Sequence, residues 1–87
     1  MKVNGNYVLK KVADSYIVVA LGGDIVDLNT IISLNDTGAF IWKQLENETD
    51  KEAVVSALLA EYDVTNEQAE KDVDAFIQKM TEAGLLA

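Results

Sequence analysis

SLNDTGAFIWKQL, residues Ser33 to Leu45, is the stretch on which the fold turns. Before it, apolar residues cluster in short β-branched and aromatic runs. From Asn35 onward they recur with a helical period of about 3.6. Ile31-Ile32-Ser33-Leu34 reads as a short strand. Asn35 or Asp36 then caps a helix through its side-chain oxygen. That helix carries Phe40, Ile41, Trp42 and Leu45 on its apolar side.

Upstream, YVLKKVADSYIVVAL (residues 7–21) reads as two strands. Tyr16, Ile17, Val18 and Val19 favour a pleated surface, and Asp14-Ser15 is the expected tight turn. Gly22-Gly23-Asp24 ends the second strand, and residues 24–30 read as either a strand arm or a loop. Downstream, Thr49 followed by Glu52 has the form of a capping box. It opens a second helix with Val54, Val55, Leu58, Leu59 and Tyr62 as its stripe. Thr65 followed by Gln68 repeats the signal and opens a third helix over residues 66–83. Ala69, Val73, Phe76, Ile77 and Met80 share one face of it. Gly84 is a helix stop, and Leu85-Leu86 is expected to fold back onto the core.

Three strands followed by three helices indicate an α+β domain with helices on one side of a three-stranded antiparallel sheet. A winged helix-turn-helix has the same content. Residues 1–87 are expected to form a single domain. Trp42 is expected to pack between the first helix and the sheet.

Composition excludes several functions. The sequence has 87 residues and no histidine, cysteine or arginine. It therefore lacks the commonest general base, the thiol nucleophiles and the usual transition-metal ligands. Ser15, Ser33 and Ser56 have no nucleophile-elbow setting, and Gly22-Gly23 lacks the spacing of a phosphate loop. No enzyme activity, cofactor or metal site is expected. Glu67, Glu70, Asp72 and Asp74 read as a solvated helix face. A net charge of −8 repels phosphate backbones and anionic membranes. No nucleic-acid or membrane partner is expected. With no apolar run after a basic start, the expected compartment is the cytoplasm. The Asn35-Asp36-Thr37 and Asn47-Glu48-Thr49 triplets fit helix starts better than glycosylation acceptors.

Several segments together carry a resemblance. They are the SLNDTGAFIWKQL stretch, Leu58 to Tyr62, Asp72-Val73 with Phe76-Ile77, and Gly84-Leu85-Leu86. In this order the chain resembles the PqqD-like family, also known as precursor-peptide recognition elements, from about Tyr7 to Leu86. Residues 22–30 look longer than the matching turn of the quinone-pathway members. The chain also lacks the basic residues that some members place near the peptide groove, so the resemblance is to the wider family. It implies a peptide chaperone that binds the leader segment of a ribosomally made precursor peptide. The leader would be presented to a modifying enzyme, often a radical S-adenosylmethionine (radical SAM) enzyme. It also implies that the leader adds as a strand to the edge of Ile31, Ile32, Ser33 and Leu34. Ala69, Asp72, Val73 and Phe76 would form the opposing wall, plain core packing being the alternative for the same residues, above all Val73 and Phe76. The same open edge could pair two copies into a homodimer. The competing reading is a winged-helix DNA-binding regulator. It calls for a basic recognition helix, which residues 66–83 do not provide.

Overall fold

The computed structural model describes residues 1–20 and 32–86. Strands β1 (Tyr7–Val12) and β2 (Ser15–Ala20) form an antiparallel hairpin, and β3 (Ile32–Leu34) pairs antiparallel on the other side of β2. The sheet order is β1-β2-β3. Helices α1 (Asp36–Gln44), α2 (Lys51–Glu61) and α3 (Asn66–Glu82) follow. Among the described residues this is the three-strand, three-helix α+β architecture that the sequence predicts.

The hairpin turn is Ala13-Asp14, one residue earlier than expected, because Val12 pairs with Ser15. Ala13 takes the left-handed conformation (φ 55°), which residues with a β-carbon rarely adopt. Aspartate tolerates that conformation better than alanine, which is why the sequence pointed one residue too far.

The turn also fixes which backbone groups are free. A two-residue hairpin loop closes on a hydrogen-bonded pair, here Val12 and Ser15. Counting from it, Ser15, Ile17 and Val19 turn their backbone groups toward β1, and Tyr16 and Val18 turn theirs toward β3. Tyr16 lies opposite Leu34, Ile17 opposite Ser33 and Val18 opposite Ile32. Leu34 and Ile32 are therefore bonded into the sheet. Ser33 directs its N–H and C=O away from β2, on the side where β3 pairs with no other strand among the described residues.

Side chains alternate in the same register. Tyr7, Leu9, Tyr16, Val18, Ile32 and Leu34 pack on the helical core. The core is built from Trp42, Ile41, Leu45, Leu58, Met80 and Leu85, each under 2% exposed. Trp42 is buried as expected.

Each helix has a side-chain cap. The Asn35 Oδ1 accepts from the Gly38 N–H at 2.7 Å. The Thr65 Oγ1 accepts from the Gln68 N–H at 3.1 Å. Gln68 does not complete a box; its amide donates instead to the Asp72 Oδ1 at 2.9 Å. The cap of α2 is Asp50, whose Oδ1 accepts from the Ala53 N–H at 2.8 Å, and not Thr49. Thr49 is held elsewhere: its N–H donates to the Met1 carbonyl at 3.0 Å and its carbonyl accepts from the Met1 amino group. Helix α3 ends at Glu82 with Ala83 as its cap, and Gly84 follows at φ 75°.

The two chain ends meet. Val3 donates to the Leu45 carbonyl at 2.8 Å, and Asn4 donates to the Leu85 carbonyl at 2.7 Å. Leu86 bridges to Val3. The expected return of Leu85-Leu86 onto the core is present, with the N-terminal segment as its partner.

Candidate functional site

A groove of about 340 Å³ opens where the end of β3 runs into α1 and faces the middle of α3. Ser33, Leu34, Asn35, Thr37, Gly38 and Ile41 form one wall. Asp72, Ala75, Phe76 and Lys79 form the other. The walls meet because Asn35 ends the strand and caps the helix at once, so β3 and the first turn of α1 form one continuous surface. Gly38 permits the close turn: a β-carbon there would lie 3.2 Å from the Asn35 cap oxygen and 3.4 Å from Leu34.

The structure thus brings together Ser33, Leu34, Asp72 and Phe76 of the residues singled out from sequence. Ser33 is exposed, Asp72 is half-buried, and Leu34 and Phe76 are buried with only an edge reaching the groove. Ala69 and Val73 are 0% exposed and lie in the core behind the α3 wall. Their expected direct contact with a peptide has no surface to use. Ile32 is half-buried and packs against the core, outside the groove lining. Ile31, with the expected break at Gly22-Gly23-Asp24 and the ambiguous segment 24–30, lies outside the described residues.

Sequence reasoning missed Asn35, Thr37, Gly38, Ile41, Ala75 and Lys79. The helical period held the signal for two of them. Ala75 and Lys79 stand three and seven residues after Asp72, on the face that also holds Phe76. Lys79 puts a basic residue at the groove, which the sequence reading did not anticipate.

The groove has polar ends and an apolar middle. No group of three or more potential metal-ligating side chains occurs among the described residues. No helix among them is long and apolar enough to cross a membrane. Elsewhere, Lys51 pairs with Asp74 at 2.7 Å. That hydrogen bond, reinforced by the charges of Asp74 and Glu70 against a smaller desolvation effect, holds the Lys51 pKa above its ordinary value. Tyr62 packs edge-on against Phe40 with ring centroids 5.5 Å apart. Burial, then the charges of Asp36 and Glu61, push its phenol up.

Known proteins share this fold. TbiB1, solved in complex with the TbiA(beta) leader peptide, is 28% identical. It matches with a TM-score of 0.77 over 99% of this chain and 94% of that one. Lasso peptide synthetase B1, solved with its leader peptide, is 21% identical and shares the fold at a TM-score of 0.74, over 97% and 93% of the two chains. No curated protein matches the sequence. Residues 16–86 match the family model described as Coenzyme PQQ synthesis protein D (PqqD), and the chain belongs to that family.

Proposed function

We propose that this protein is a peptide chaperone that binds the leader segment of a ribosomally synthesised precursor peptide and presents it to a modifying enzyme. The open β3 edge beside the groove carries the reading. Ser33 offers an outward donor and acceptor, and an extended backbone can satisfy both by strand addition. The far edge of the sheet is a poorer template. Lys10 and Lys11 on β1 guard it with charge, and the groove lies beside β3. Membership of the PqqD family and the leader complexes of TbiB1 and lasso peptide synthetase B1 support the same reading.

The proposed contact residues are Ser33 and Leu34 on the strand side and Asp72 and Phe76 on the helix side, with Ile32 next along the strand. Ala69 and Val73 support the wall from behind. The protein acts as a recognition partner and not as a catalyst. Its client enzyme is of the class that modifies such peptides, radical SAM enzymes among them, and it works in the cytoplasm. The winged-helix DNA-binding reading is not favoured: α3 holds Lys71 and Lys79 against five acids.

The test is an amide-shift titration of isotope-labelled protein with synthetic leaders taken from short reading frames beside the gene. Shifts should concentrate at residues 32–38 and 72–79. Shifts confined to Val54–Tyr62 would show docking elsewhere and sink strand addition.

A further inference from the structure

Resting on that reading of β3 and α3, we infer that the groove selects an extended segment with a basic, an apolar and an acidic residue at alternate positions. These would be matched to Asp72, Phe76 and Lys79.

Position on the helix gives the first argument. Asp72, Phe76 and Lys79 stand at i, i+4 and i+7, one face of α3, with the two charges about 10.5 Å apart along its axis. Strand residues two apart point the same way, so three alternate side chains span about 13–14 Å. The Lys79 stem, with its four carbons, covers the difference.

The availability of the charges gives the second. Asp72 has Gln68 and Phe76 four residues away and Ala69 and Ala75 three away, so no lysine stands in pairing position on its own helix. Lys79 has Ala75, Ala83, Phe76 and Glu82 at those positions, and Glu82 already accepts from Gln78 at 3.3 Å. Asp74 differs: it is held by Lys51. Among the described residues neither Asp72 nor Lys79 has an ion-pair partner. Asp72 accepts from the Gln68 amide on one oxygen, leaving the other for an incoming cation. The chain has fifteen acids against seven lysines, yet this groove presents one of each sign. Charges arranged this way set specificity and register more than affinity.

The experiment pans a library of random short peptides against the full chain and synthesises the consensus. That consensus should carry opposite charges flanking an apolar residue at alternate positions, in one fixed order. Lys79→Glu should weaken the consensus peptide about three- to tenfold at low salt. Replacing the peptide's acidic residue with lysine should restore binding to that variant. The Lys79 side chain is exposed, and denaturant melts check that the variant folds. A consensus that lacks the charges but shifts the amides of β3 and α3 overturns this inference and leaves the leader site standing. A consensus that maps to α2, or a library that yields no binder, counts against the leader reading itself.

Discussion

Single oxygens hold the helix starts. Asp50→Ala and Thr65→Ala each remove the acceptor for one free N–H of α2 or α3, and each should cost about 1 kcal/mol in urea melts. Thr49→Ala should change stability by less than about 0.5 kcal/mol, since its backbone and not its hydroxyl makes the contacts with Met1. The sequence could not separate the two residues, because Thr and Asp are both good caps and stand side by side. What decides is the tie to the N-terminus, 48 positions away. Tyr62 supplies a pH prediction. Burial raises its phenol pKa in the folded state, so as pH passes about 10 the unfolded chain gives up its proton first. Unfolding is then favoured, and stability falls with rising pH. Lys51 has the same sign: its raised pKa means the folded state holds the proton longer, and that contribution is lost as pH climbs through the folded value. Urea midpoints between about pH 9 and 11 should decline, and Tyr62→Phe should flatten part of the slope. An unchanged slope in that variant would mean that Tyr62 does not titrate as the structure requires.

At the scale of the elements, β3 is where proline separates sheet from ligand. The register turns the Ile32 backbone inward to Val18 and the Ser33 backbone outward. Ile32→Pro should therefore break a sheet bond and cost about 1–3 kcal/mol. Ser33→Pro removes only a donor that faces away from β2, and an edge strand tolerates it. It should melt almost like the parent while binding leader about two- to tenfold more weakly. Equal binding by Ser33→Pro and the parent would exclude strand addition at this residue. The existence and order of the elements were legible in the sequence because the apolar period changes cleanly at Asn35. The α3 wall was legible in part. Asp72 and Phe76 follow from the helical stripe, but the same stripe offered Ala69 and Val73, which tertiary packing takes into the core. Periodicity gives a face about half a helix wide. Only the neighbouring elements decide which margin of that face meets solvent, so Ala75 and Lys79 at the margin were missed. The α1 wall of Thr37 and Gly38 depends on the angle at which β3 enters α1, which no residue pattern encodes.

Across the whole molecule, charge is unevenly placed. Twelve of the fifteen acids and four of the seven lysines lie from Asn35 onward, so the helical part carries the negative field. That field bears on the open β3 edge in two opposite ways. A leader with a basic residue is attracted, and its affinity should fall as salt screens the attraction. A second copy of the chain presents the same three-residue strand, and a two-fold β3–β3 pairing would satisfy both Ser33 edges at once. Two molecules of net charge −8 repel each other, however, so this pairing should strengthen as salt rises. Edge pairing with self and with leader also compete for the same donors. In sedimentation experiments the protein should be monomeric at about 0.02 M salt, where the screening length is long, and should gain dimer toward about 0.5 M. Leader peptide should dissociate that dimer, and Ser33→Pro should reduce it. A dimer that weakens with salt, or that survives both saturating leader and Ser33→Pro, would place the self-contact away from β3. A monomer at every salt and concentration would remove the homodimer altogether and leave the edge to the peptide alone.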